Sequence, residues 1–395
     1  MKRNLTLLLI VFSIAIAMVL IALYVPHSLP AHSDFSALYN TDLALVHRVP
    51  IYDLEEVEAL AVQYAGIPED TFFLARFPYP PWYALSTFYL GLMPARAAAL
   101  LWFELNLVML FLSIWLLTDG WPGRLRLIAF PLALFFLPVL GALSVGQYDF
   151  PVLLGTSLLI YSLRREHVPL TVLGIVLLTF KPHIGALILL AALGWLVFSN
   201  RDLGRRVFRP LLAAGTLLFV TGFIADPNWV VSYPRMLLNY QTEGNVSACS
   251  ECASLPVWLS RWFLDGSLTS AAWIAAVLLV LIVGSFYALR ASMKSPERLL
   301  CAALLVTLVV SPYLYNYDYL LLLVPFAVHF RNSHWTGKVV ILICYLVPTF
   351  AILVYGRNGN LSLAAAALIM LILLYASAKK VVIDFPVRTA YNTNK

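Results

Sequence analysis

Charge is scarce in this chain. Of 395 residues only 12% are Asp, Glu, Lys or Arg, 62% are hydrophobic, and the mean hydropathy is +0.86. Soluble globular domains carry about twice that share of charge, so a soluble fold is excluded. Cysteine is rare too, with 4 residues, too few for a disulfide framework. Cys301 and Cys344 fall in apolar runs and read as packing residues, whereas Cys249-Ser250-Glu251-Cys252 lies in a polar stretch. An oxidising compartment permits a local bond there. A single C-x-x-C with no second pair argues against a metal site. No cofactor motif is present, so neither metal nor cofactor is expected. The apolar runs are continuous and do not alternate with polar residues, which excludes a transmembrane barrel.

What the sequence does have is apolar runs near the ~20 residues that cross ~30 Å of hydrocarbon. They predict an all-α, polytopic membrane bundle of about 12 transmembrane helices. The expected spans lie near residues 5–25, 97–118, 127–145, 147–163, 168–181, 184–198, 210–225, 269–290, 299–313, 320–330, 339–356 and 363–377. Met1-Lys2-Arg3 resembles the start of a signal peptide, but Ala31-His32-Ser33 is a poor cleavage site, so the first run reads as an uncleaved anchor. With both termini placed in the cytoplasm, alternating loops collect most of the 26 basic residues inside. Arg48, Arg76, Arg96, Lys181, Arg235, Arg261 and Arg357 stay outside. The net charge of +6 is therefore a topology signal, and no nucleic-acid partner is expected. Pro80–Met93 is apolar but too short to cross, and a full crossing would flip every later loop; Phe77–Pro94 thus reads as re-entrant or interfacial. One transmembrane domain (1–380) is expected, with a first outer loop at 26–96, a second at 226–268, and a cytoplasmic tail at 381–395.

Acids sort the other way: Asp34, Asp42, Asp53, Glu55, Glu56, Glu58, Glu69 and Asp70 all fall in the first outer loop. Leu43–Val46 and Leu54–Tyr64 read as short amphipathic helices on the membrane plane. Phe72, Phe73, Phe77, Tyr79, Trp82 and Tyr83 read mainly as an interfacial aromatic belt. Asp34 stands where the first span leaves the bilayer, where a carboxylate can take a proton from a water-borne hydroxyl. Its bland alternative is a helix cap, and Asp42 and Asp53 read as capping or solvated. Glu104, inside a span, is expected to pair with a buried polar group. Polar residues return at outer span ends, in Gly146-Gln147-Tyr148-Asp149, Lys181-Pro182-His183 and Tyr315-Asn316-Tyr317-Asp318-Tyr319. Ionisable groups at such depth line cavities or substrate paths. Lys181 would there meet a lipid phosphate, or simply anchor a helix end by snorkelling.

Taken in order, Asp34-Phe35 with Tyr39, Tyr52-Asp53, Phe77-Pro78-Tyr79-Pro80-Pro81, Gly146-Gln147, Lys181-Pro182, and Ser311-Pro312 before Tyr317-Asp318-Tyr319 form a series. The series resembles family 87 of the glycosyltransferases, polytopic enzymes of GT-C type. The resemblance implies a polyprenyl-phosphate-sugar donor, often of mannose, and a glycolipid or glycan acceptor at the outer face of the plasma membrane. It implies Asp34 as general base and Lys181 as a contact to donor phosphate. Arg76 is a second phosphate candidate, and Tyr39, Tyr79, Gln147, Asp149, His183, Asn316 and Asp318 are substrate-binding candidates. Asp318 stands where mycobacterial mannosyltransferases of this family tend to have a histidine. An inverting, metal-independent transfer is expected. The competing class is a transporter or flippase, but those folds repeat interrupted helices in two halves, and no such echo is visible.

Overall fold

The computed structural model describes residues 33–65, 77–242, 252–288 and 295–384. The expected first span, Arg76, Cys249 and the end of the tail lie outside these residues. Every regular element among them is helical. In chain order these are α1 (Asp34–Val46), α2 (Leu54–Ala65), α3 (Pro81–Thr87), α4 (Ala95–Leu117), α5 (Gly123–Leu134) and α6 (Leu137–Val145). Next come α7 (Asp149–Arg165), α8 (Val168–Leu178), α9 (Pro182–Gly194), α10 (Arg201–Ala225), α11 (Trp229–Thr242) and α12 (Leu255–Phe263). The series closes with α13 (Leu268–Ala288), α14 (Pro296–Val310), α15 (Leu323–Asn332), α16 (Trp335–Tyr355) and α17 (Leu361–Asp384).

Four of the described helical stretches, Ala95–Leu117, Pro182–Ser199, Arg201–Ala225 and Trp335–Ser377, are long and apolar enough to cross a membrane. The number rises to six if each of two bent pairs, α5 with α6 and α12 with α13, counts as one span. The α5–α6 pair bends by 55° just before Pro138, which opens α6 and cannot supply the backbone donor that would continue α5. The chain is thus a helical membrane protein.

Helix α7 is enclosed, with buried residues on all its sides. Its 17 residues span roughly 25 Å and separate two polar layers. At one end Arg165 meets Asp119 at 2.9 Å, Arg164 meets Glu297 at 3.0 Å and Arg206 meets Glu166 at 2.5 Å. These pairs tie the end of α7 and the turn after it to the α4–α5 turn, to the start of α14 and to the first turns of α10. At the other end Asp149 opens α7 amid the remaining polar turns. Basic loops therefore gather at one end of the bundle and the acidic site at the other.

Several expectations about the first outer loop are corrected here. α1 is not a short interfacial helix: it starts at Asp34, and Phe35 through Ala44 are buried. Ser33 supplies the extended N-cap and Asp34 sits in the first turn, where the helix dipole favours a carboxylate. Asp42 is not solvated but fully buried, accepting a hydrogen bond from Thr87 at 3.1 Å. Asp53 does accept from the Glu56 amide near the start of α2, and α2 keeps the amphipathic division, burying Val57 and Ala61 while exposing Glu55, Glu56 and Glu58. Phe77, Tyr79 and Tyr83 are not a membrane belt; they are buried and pack edge-on to Tyr148 and against Phe180. Glu104 is exposed on α4 instead of paired inside. Cys301 and Cys344 are buried and free, and Cys252 is disulfide-bonded.

Residues 77–94 form α3 and a 3-10 turn, Phe88–Leu92, packed on α1. Gly91 makes the closest approach: a Cβ there would lie 2.4 Å from the Asp42 carbonyl oxygen. Backbone cannot yield as a side chain can, so Gly91→Ala should displace α1. We expect a loss of ~1–3 kcal/mol, read as a lower melting temperature in detergent, together with reduced activity because α1 carries Asp34.

Candidate active site

A cavity of about 1270 Å³ opens at the acidic end of the bundle. Its polar wall comes from the start of α1, the α6–α7 and α8–α9 turns, residues 311–318 and the α16–α17 turn. Leu268, Ala272, Ala275, Ala276 and Leu279 of α13 and Leu187 of α9 supply apolar lining.

Asp34 is held from several sides. Gln147 Nε2 donates to Asp34 Oδ2 at 2.8 Å, and Tyr148 N–H donates to Gln147 Oε1 at 2.8 Å, which fixes the amide's orientation. The Tyr148 hydroxyl donates to the Asp34 backbone carbonyl, and the Tyr317 hydroxyl bonds the Asp34 carboxylate. Gly146 makes the turn possible by ending α6 at φ 67°, a conformation that costs glycine little. Its carbonyl accepts from Trp102 Nε1 at 2.8 Å. Burial pushes the Asp34 carboxyl above the ordinary carboxylate range; Lys181 and the Tyr317 hydrogen bond pull the other way, and Asp318 adds to the rise.

A buried ion cluster runs from this wall into the protein behind it. Lys181 Nζ donates to Asp149 Oδ1 at 2.7 Å and to Asp318 Oδ1 at 2.6 Å, with all three side chains 2% exposed or less. It also lies 5.6 Å from the centre of the Tyr317 ring. Asp318 Oδ2 accepts from the Tyr315 amide at 2.6 Å, which sets the 3-10 turn Asn316–Leu322. The cluster therefore joins the starts of α7 and α9 to the turn that carries Tyr317. Position in the sequence gave Lys181 the part of a cation open to phosphate. Its geometry is that of a counter-ion for two buried carboxylates.

The structure brings Asp34, Tyr79, Gln147, Lys181, His183, Asn316 and Asp318 to the cavity. Asp149 stands just behind it, through Lys181. Tyr39 does not line it; its hydroxyl donates to the Met93 carbonyl at 2.9 Å and staples α1 to the end of the 3-10 turn. Arg76 lies outside the described residues. Tyr148, Tyr317 and Arg357 were not among the expected site residues. The first two adjoin Gln147 and Asp318, and that adjacency was the available signal. Arg357 gave only its outer-loop position. Among the described residues no group of three or more His, Cys, Asp or Glu side chains is arranged to hold a metal ion.

Fold and site together define a helical membrane protein with a carboxylate-bearing cavity, lined by both polar and apolar side chains, at one end of its bundle. The family model for glycosyltransferase family 87 matches residues 77–312, more than half of the chain, and the chain belongs to that family. It is accordingly a glycosyltransferase, working between a sugar donor and an acceptor. No curated protein and no solved structure matches it. The matched segment contains Tyr79, Gln147, Asp149, Lys181 and His183; Asp34, Asp318 and Arg357 lie beyond it.

Proposed function

We propose that this cavity moves a hexose, mannose before others, from a polyprenyl-phosphate-sugar to a glycolipid or glycan acceptor. The bundle is of GT-C type with about 12 spans as one transmembrane domain. Its site opens at the outer face of the plasma membrane, and both termini are cytoplasmic. The observation that carries the reading is the Asp34 carboxylate, gripped by Gln147 and Tyr317 at the wall of a cavity that is half polar and half apolar. Such a cavity suits an amphiphile, a sugar phosphate joined to a hydrocarbon chain. The gathering of basic loops at the opposite end supports an outer-face site.

In this reading Asp34 takes the proton of the acceptor hydroxyl as the oxygen forms its bond to the anomeric carbon. The bond from that carbon to the phosphate oxygen breaks, and the electron pair leaves with the phosphate. General-base action of this kind contributes ~10²–10⁴-fold. Asp149 and Asp318 do not take part directly; Lys181 neutralises them and they hold Tyr317 in place. The transfer is metal-independent, because the carboxylates nearest Asp34 are already committed to Lys181.

A base must be ionised to act, so the rate falls as pH drops through the Asp34 pKa. Since that pKa is raised, the acid limb of kcat/KM lies above the ordinary carboxylate range. Tyr317→Phe removes a hydrogen bond that lowers it, so the limb should move to higher pH. A limb unmoved by Tyr317→Phe would separate Tyr317 from the base. The reading as a whole is tested by transfer from polyprenyl-phosphate-mannose and polyprenyl-phosphate-glucose to a mixed lipid acceptor pool, with nucleotide sugars alongside. Transfer from nucleotide sugars alone would defeat it.

A further inference from the structure

Hydrogen bonds within the protein leave few polar side chains of the cavity for a substrate. Ser36, Ser144, Thr307 and Ser311 donate their hydroxyl hydrogens to backbone carbonyls. Gln147 and Tyr317 hold Asp34, and Lys181 is spent on Asp149 and Asp318. Among the described lining residues, the side chains of His183, Asn316 and Thr269 make no hydrogen bond within the protein. His183 is exposed and Asn316 half-buried. A neutral imidazole and an amide each offer both a donor and an acceptor. A hexose brings several hydroxyls into the cavity, and each one that loses water without gaining a partner weakens binding.

Two of the three stand on the same strip as Asp34. The His183 ring meets Tyr313 edge-on with centroids 6.3 Å apart, and Tyr313 meets Tyr315 at 5.4 Å. Tyr315 stacks on Tyr317 at 5.2 Å, and the Tyr317 hydroxyl bonds Asp34. Asn316 lies between Tyr315 and Tyr317 in the chain and opens the 3-10 turn Asn316–Leu322. Thr269 belongs to α13, with the apolar lining. Both positions on the strip are firmly based. His183 is in the first turn of α9, beside Lys181 and its two ion pairs. Asp318 Oδ2 pins the Tyr315 amide just before Asn316. In the proposed reaction Asp34 acts on the acceptor oxygen, and the anomeric carbon lies one bond beyond that oxygen. Groups set back from Asp34 along the strip are thus placed to meet the sugar being transferred. We infer that His183 and Asn316 bind hydroxyls of the donor hexose and so decide which hexose is transferred. The assignment rests on the polyprenyl-phosphate-hexose donor proposed above and deepens it.

The test uses purified protein in nanodiscs and the polyprenyl-phosphate donors of mannose, glucose and galactose. Glucose differs from mannose only at C2 and from galactose only at C4, so the panel isolates single hydroxyls. Wild type should favour one donor at least tenfold in kcat/KM. His183→Phe keeps a ring against Tyr313 but removes both nitrogens, and Asn316→Leu keeps the amide's approximate size. Each should lower kcat/KM for the favoured donor about 10- to 100-fold, towards the values of the others. His183→Gln retains a donor and an acceptor and should fall between wild type and His183→Phe. The acceptor KM and the melting temperature should stay at wild-type values. A donor preference that survives intact in both His183→Phe and Asn316→Leu overturns the assignment. A raised acceptor KM with the donor preference unchanged also overturns it, because the pair would then read the acceptor. Equal use of all three donors by wild type overturns the assignment and leaves the donor reading standing. Transfer from none of them overturns both.

Discussion

Asp34→Asn abolishes all but about 1% or less of glycosyl transfer and leaves the fold intact. Asparagine has the carboxylate's shape, and its amide oxygen can still accept from Gln147 Nε2, now 2.8 Å from Asp34 Oδ2. The α1 start keeps its Ser33 cap, and the backbone carbonyl of residue 34 keeps its bond from Tyr148. What disappears is the ability to accept a proton, worth ~10²–10⁴-fold to a positioned base. The effect should fall on kcat, with donor and acceptor KM little changed, because Asp34 acts at the hydroxyl as it reacts. Initial rates with the variant's melting curve beside them are the check. Wild-type turnover by Asp34→Asn would leave the residue only its place in the first turn of α1.

The second large effect concerns folding. Lys181→Met leaves Asp149 and Asp318 buried at 0% and 2% exposure without their shared ammonium. Breaking a buried ion cluster from one side costs ~3–5 kcal/mol, whereas replacing every member can be nearly neutral. Lys181→Met alone should therefore yield little monodisperse protein. Adding Asp149→Asn and Asp318→Asn should recover much of it, since neutral amides tolerate burial better than unpaired carboxylates. Size-exclusion profiles and melting temperatures of the single and triple variants read this directly. A Lys181→Met protein that folds like wild type but has lost only donor affinity would return Lys181 to the phosphate.

The membrane class, the helical fold and the gathering of polar turns at one end were legible in the sequence. Each depends on local quantities, apolar run length and the side on which charges fall. The site was legible as a set of span ends: Gln147, Lys181, His183 and Asp318 all mark turns that converge. Pairing was not. Lys181 and Asp318 are 137 residues apart, and nothing local shows that a lysine at a helix start will be spent on two carboxylates. Burial of α1 was hidden for a similar reason. Its acids, Asp34 and Asp42, suggested a solvated face, while Thr87 and Gly91, which cover Asp42, come from a later segment. The aromatic residues of 77–83 suit a membrane interface and a protein interior equally well by composition, and only the approach of Tyr148 and Phe180 decides between them. Glu104 erred in the other direction, because rarity within an apolar run marked it as functional although it faces outward.

The central claim, that Asp34 is a general base in a single displacement, is tested most directly by the anomeric configuration of the product. Transfer from a polyprenyl-phosphate-hexose of defined configuration would be run to completion and the new linkage assigned by NMR. The account predicts inversion, since the acceptor oxygen attacks the face opposite the departing phosphate. Retention would contradict it, requiring a glycosyl-enzyme intermediate and turning the Asp34 carboxylate from base into nucleophile.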